Sequence, residues 1–439
     1  MRKLNLIFLL LLFTNITTTN AGLIRDSEIE EAINLTVDPL IKAAKLENLK
    51  IHIIDDPMPN AYTPGKNTIF ITTGLIINFP DPDVLRGVIA HEIGHIKGHH
   101  VTRQKEIIQN YNIARISTMA LGLAVAMSGA GGAEAGLPIF LGGEHFAERS
   151  ILSYSREFES SADQAALRLL EKSGHSCIGL INFFQNMYNR SSNVYINPYE
   201  QSHPLSKDRL LVLQSFNKRS QYPKSMNSTE LKFKFSKSAA KLAGFTLDEE
   251  TANNLTFSKE YNQELTRYIK TIQFFKRGKF DDAINNITQL IIKRPDDPFY
   301  HELKGQILFE AGKAMAINEY NEAIKLRPRD TLMKLGRAIV GFNKYHDKPL
   351  RLTEFYRDLV YVAKHDPDNL LALFYLSKFY EKRNLTGKSL LNSALINYKL
   401  GNRKIAHAQA KEAKKHLDKR SPDWYKADDI LQSTKKENK

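Results

Sequence analysis

The chain has 439 residues, 42% hydrophobic and 25% charged, a balance that excludes a disordered or fibrous protein and leaves room for two or three domains. Its single cysteine, Cys177, excludes an internal disulfide, and with it a small stapled module. The formal net charge of +14 suits an anionic membrane surface or acidic clients.

The first predicted element lies outside the fold. Arg2 and Lys3, an apolar run from Leu4 to Phe13 and the ending Thr19-Asn20-Ala21 form the three-part pattern of a secretory signal peptide over residues 1–21, with cleavage expected after Ala21. Export argues against nucleic acid as a partner. A helix is expected over residues 26–46 and a strand over 50–54. A turn-rich passage at 57–66 and a second strand over 67–72 come next, closed by Gly74. Asp81 and Pro82 supply an N-cap and a first-turn proline. Behind them Val84, Leu85, Val88, Ile89 and Ile96 recur at helical spacing, and the helix is expected to continue through 108.

Residues 116–143 are apolar and rich in glycine and alanine, and a mobile lid or membrane-touching loop is expected there. A helix over 155–172 ends at Gly174, and loop-like sequence covers 189–200. His203-Pro204 then opens a short helix to 216, and 217–260 is expected to connect two domains. From 261 the pattern becomes repeated helix pairs. Ala283 to Ala316 and Pro295 to Pro328 are both 33 apart, near the 34-residue tetratricopeptide period. Pro367, Ala406 and Pro422 mark further, divergent units, and the lysine-rich stretch 411–439 is expected to be a solvated face.

The chemistry centres on His91-Glu92-Ile93-Gly94-His95. Residues four apart share a helix face, so both histidines can offer a ring nitrogen to one metal ion, with Glu92 beside them to take a proton from water. Downstream, Glu159 and Asp163 are again four apart, and Ala162, Ala165 and Ala166 form a stripe that lets their helix press against another. Glu159 would complete two histidines and a carboxylate around zinc, leaving a fourth position open. Asp163 would accept a hydrogen bond from the far nitrogen of a liganding histidine. His99, His100 and Cys177 are expected to be structural, and Arg156 to pair with a carboxylate near the site.

The motif His91-Glu92-Ile93-Gly94-His95, with Arg156-Glu157-Phe158-Glu159-Ser160-Ser161-Ala162-Asp163, resembles the M48 family of zinc metallopeptidases. Asn60-Ala61-Tyr62, Pro64-Gly65, residues 69–75, Ser202-His203-Pro204 and Arg209 extend the likeness over about residues 27–216. Tyr62 departs from it, standing where the family often has Phe. The resemblance implies one zinc held by His91, His95 and Glu159, with Glu92 as general base. It gives His203 a catalytic place, either stabilising the oxyanion or capping the metal in a latent state. The strand over 67–72 is expected to pair with an extended substrate. Signal, peptidase domain and repeats together resemble the periplasmic BepA-like subgroup.

These readings imply an α+β zincin-like metallopeptidase domain over 22–216, mostly helical with a small sheet, and an all-α tetratricopeptide-like domain over 261–439. The implied protein is a periplasmic endopeptidase for misfolded or stalled outer-membrane proteins. Its repeats would recruit clients or the outer-membrane assembly machinery, and it would touch the membrane peripherally. Two other readings stand beside it: a latent protease acting as a periplasmic chaperone or scaffold, and a membrane-embedded stress protease.

Overall fold

The computed structural model describes residues 23–65, 67–103, 156–190, 199, 202–345 and 351–435. The expected signal peptide, the expected lid at 116–143 and nearly all of the expected loop at 189–200 lie outside these residues. The chain divides into two compact units, Met1–Gln273 and Phe274–Lys439.

In the first unit, β1 (Leu23–Ile24) leads into α1 (Ser27–Ala44), whose N-cap Asp26 accepts from the Glu28 and Ile29 amides. Strands β2 (Lys50–Ile54), β3 (Ala61–Gly65) and β4 (Thr68–Thr72) complete a four-stranded sheet of order β1-β2-β4-β3. Strand β4 pairs parallel with β2, Ile71 opposite Ile53, and antiparallel with β3, Ile71 opposite Ala61. Both edges of β4 are therefore occupied, which overturns the expectation that this strand receives a substrate. The edge belongs to β3, a strand hidden in sequence because Pro64 and Gly65 read as turn residues.

After the short helix α2 (Thr73–Asn78), α3 (Pro82–Lys97) starts at the Asp81 cap and is buried along nearly its whole length. Gly98 and His99 interrupt it, His99 in the left-handed region at φ 53°. Helix resumes over residues 100–103, and the rest of the expected continuation, 104–108, lies outside the described residues. Arg86, 1% exposed, pairs with Asp83 at 2.6 Å and donates to the Thr36 carbonyl at 3.1 Å, which ties α3 to α1.

Helices α4 (Arg156–Lys172) and α5 (Ile178–Arg190) pack against α3, and α6 (Lys207–Arg219) packs against α4 and α5. Gly94 makes the α3–α4 crossing close: a Cβ there would meet the Ala162 main chain at 2.7 Å. Cys177 is buried, donates to Asn217 Oδ1 at 3.3 Å, and has its pKa pushed up by burial to about 11.

The stretch expected to connect two domains instead holds α7 (Thr229–Thr246), whose Phe235, Ala239, Leu242 and Ala243 join the core of the first unit. Its Lys237 and Lys241 are buried too. They pair with Glu28 of α1 at 3.1 and 3.2 Å, and Tyr268 donates to the same carboxylate at 2.8 Å.

The second unit is helical throughout its described residues, in successive packed pairs: Phe280–Lys293 and Pro298–Glu310, Ala316–Leu326 and Thr331–Lys344, Leu352–His365 and Leu370–Lys382, Thr386–Lys399 and Arg403–His416, then Pro422–Lys435. The sequence period has a backbone counterpart. Gly278 and Gly312 both turn left-handed, at φ 71° and 67°. Arg294, Arg327 and Asp366, each before a proline, end their helices near φ −133°, ψ 74°.

Candidate metal centre

Helix α3 carries His91, Glu92 and His95, α4 carries Glu159 and Asp163, and the segment before α6 carries His203. All six are almost wholly buried. His91, His95, Glu159 and His203 bring ligand atoms within 4.8 Å of one another, a group that could hold a metal ion. His91 Nε2 lies 3.0 Å from His95 Nε2, 3.3 Å from Glu159 Oε2 and 3.4 Å from His203 Nδ1. Glu159 Oε1 lies 3.3 Å from His95 Nε2 and 3.2 Å from His203 Nδ1. Ligands about 2.0–2.1 Å from a tetrahedral zinc stand about 3.3–3.4 Å apart. The donor set therefore fits one small divalent cation in size, composition and convergence.

The charges agree with that fit. Burial lowers the pKa of His91, but the Asp163 and Glu159 carboxylates outweigh it and raise it to about 9. His95 goes the other way: burial, helped by His91 and His203 and opposed by Glu159, lowers it to about 3. The Glu159 carboxyl, despite burial, is held far below the carboxylate range by His203, His91 and His95.

The supporting shell is specific. Asp163 Oδ1 lies 2.9 Å from His91 Nδ1. Arg209 clamps both carboxylates of α4. Its Nε and Nη2 donate to Asp163 at 2.6 and 2.8 Å, and Nη1 lies 2.9 Å from Glu159 Oε2. The guanidinium also sits 4.7 Å over the Phe184 ring. Arg156, expected in such a role, is exposed instead. Sequence reasoning gave Arg209 no task, because nothing local reveals that the start of α6 returns beneath α4.

His203 Nδ1 faces the cluster while its Nε2 lies 3.5 Å from Glu92 Oε1, so this ring fills the space between the donors and Glu92. Tyr199 stacks on it at 4.8 Å, and the His203 amide donates to the Tyr199 carbonyl at 2.7 Å. Glu92 is fully buried beside the Thr63 main chain of β3. Burial, with the Glu159 charge, raises its pKa against His203 and His91, a shift in the direction of a stronger proton acceptor. His100, expected to be merely structural, is buried with Nδ1 3.0 Å from His95 Nδ1. His99 is exposed.

Residues 27–217 match the sequence model of peptidase family M48, and this segment is an M48 metallopeptidase domain. Over most of the chain the similarity is to proteins named beta-barrel assembly-enhancing protease. One, from Yersinia pestis, is 23% identical over 73% of this chain and 66% of its own length. Another, from Escherichia coli strain K12, is 23% identical over 71% of this chain and 65% of its own length. A protease HtpX homolog from Dictyoglomus turgidum is 37% identical over 22% of this chain and 36% of its length. The chain thus spans less than two-thirds of the length of these curated relatives. No helix among the described residues is long and apolar enough to cross a membrane.

Proposed function

We propose that the chain is a zinc endopeptidase held in a closed, latent state by His203. The observation that carries the reading is the convergence of His91, His95, Glu159 and His203 on one point with Glu92 immediately beyond. His91, His95 and Glu159 would hold zinc, which supplies Lewis acidity to polarise a scissile carbonyl and acidify a water. His203 stands where that water and carbonyl would enter, so it must swing out before catalysis. Glu92 then takes the proton from water and delivers it to the leaving amine. Strand β3 runs past Glu92, and its outer edge offers main-chain hydrogen bonds to an extended substrate with little demand on side chains.

The named relatives support an envelope role. The clients we assign are misfolded or stalled outer-membrane proteins, met in the periplasm after export through the signal at 1–21. The tetratricopeptide-like helix pairs would recruit clients or assembly machinery. The closed position of His203 also favours a second reading, a latent protease that serves mainly as chaperone or scaffold.

The test is metal content beside casein cleavage for the mature chain and three variants. Zinc should be lost in Glu159→Ala and retained without cleavage in Glu92→Gln. His203→Ala should cleave faster than wild type. Bound zinc with no cleavage even in His203→Ala would favour the chaperone reading. Absence of zinc from the wild type would end the catalytic one.

A further inference from the structure

A metal-binding imidazole presents one nitrogen to the ion, and whatever holds the other nitrogen fixes its tautomer and tilt. The two histidines of α3 are held differently. His91 Nδ1 meets the Asp163 carboxylate at 2.9 Å, whereas His95 Nδ1 meets a second imidazole, His100 Nδ1, at 3.0 Å. We propose that His100 is a positioning residue that locks His95 with its proton on Nδ1 and the Nε2 lone pair aimed at the cluster. This inference rests on the metal-site reading above.

The hydrogen-bond logic leaves one arrangement. If His95 Nε2 offers a lone pair, its proton sits on Nδ1 and is donated to His100 Nδ1, so His100 carries its own proton on Nε2. His100 is not a further ligand, because its Nδ1 meets the nitrogen of His95 that points away from the cluster.

The surrounding structure is built to hold this ring. The left-handed turn at His99 folds the chain back after α3. Gly98 makes room: a Cβ there would fall 2.1 Å from His100 Nε2. The ring is 2% exposed and stacks on Phe158, with centroids 4.7 Å apart and planes at 10°. Phe158 immediately precedes Glu159, so one contact links the ligand of α4 to the support of the ligand on α3. Using an imidazole here orients His95 without adding a further carboxylate to those of Glu92, Glu159 and Asp163.

The full-length chain tests this with His100→Phe, which keeps a ring on Phe158 but removes the acceptor, and His100→Gln, which restores an acceptor. Zinc affinity is read by competition with a chelator, ligand geometry by the absorption of the cobalt(II)-loaded protein, and folding by thermal melting. H100F should bind zinc about 10–100-fold more weakly, with an altered cobalt spectrum, while H100Q recovers most of the loss. Unchanged zinc affinity and cobalt spectrum in H100F would overturn the proposal, as would equal impairment in both variants. Histidine-selective 15N NMR of the zinc-loaded wild type needs no variant: it should place protons on His95 Nδ1 and His100 Nε2, and the reverse pattern refutes the assignment. A wild type that binds no zinc refutes the metal site itself, a result distinct from a zinc-binding wild type matched by H100F.

Discussion

Two clusters of buried charge sit in the same unit and are built on opposite plans. Around Glu28, one carboxylate is met by Lys237 and Lys241 and by the Tyr268 hydroxyl, so the chain supplies its own cations. Around Glu159, two imidazole nitrogens, a carboxylate and a third imidazole point at one another across 3.0–3.4 Å, and the nearest permanent cation, Arg209, stands behind the carboxylates rather than among the donors. Burying charge is tolerable only when it is paired. The Glu28 cluster is complete as protein, whereas the Glu159 cluster is a group that could hold an ion. The contrast separates a joint from a candidate metal site without reference to any relative.

The largest expected effect falls on the joint. Glu28→Gln takes from Lys237 its buried carboxylate and from Lys241 one of two, since Lys241 keeps Asp26 at 2.7 Å; the change should cost about 3–5 kcal/mol of unfolding free energy in urea while leaving zinc content unchanged. Burial raises the pKa of Glu28, but Lys237 and Lys241 outweigh it and hold it below its ordinary value of 4.5. The stability it adds is therefore present above about pH 4.5 and lost as pH falls through the lower, folded-state value. A wild-type stability curve flat through that acid range would contradict the pairing. Next comes the ion: zinc at a hundredfold excess over its dissociation constant should stabilise the wild type by about 2.7 kcal/mol. Glu159→Ala should show no such gain, and an equal zinc-induced shift in both would remove Glu159 from the ligand set.

The sequence exposed one of these clusters and concealed the other, for a physical reason. His91, Glu92, His95, Glu159 and Asp163 are pairs four apart on helices, so local geometry alone puts each pair on one face. Glu28, Lys237, Lys241 and Tyr268 follow no local rule. Lysines in a helix read as solvated, and only the fold brings α7 against α1. The same holds for Arg209 and His100, whose tasks depend on where the chain returns after α4 and after Gly98. Strand β3 was obscured by the turn chemistry of Pro64-Gly65, which misdirected the substrate expectation to β4.

A third change acts on the crossing that brings the donors of α3 and α4 together. Gly94→Ala drives a methyl group into the Ala162 main chain, which has no flexible end to yield. Spreading α3 from α4 should cost about 1–3 kcal/mol. It should also weaken zinc binding, because His95 and Glu159 lie one and three residues from the contact on their respective helices. Loss of stability with zinc affinity intact would mean that the α3–α4 spacing does not set the ligand geometry.

The smallest effect sharpens the contrast most. Lys237→Met removes one of two cations from the joint and leaves Lys241 and the Tyr268 hydroxyl on Glu28, with an aliphatic side chain filling the lysine stem's place. The expected cost is about 1 kcal/mol, the scale of one hydrogen bond whose acceptor stays paired. The double change with Glu28→Gln should cost less than the sum of the two single changes, since Lys237 is then no longer there to lose its carboxylate and Lys241 keeps Asp26. No comparable tolerance is expected among the donors of the other cluster, where each ligand acts on the same ion. If Lys237→Met instead costs as much as Glu28→Gln, the joint has no redundancy, and the two clusters would differ in the origin of their cation alone.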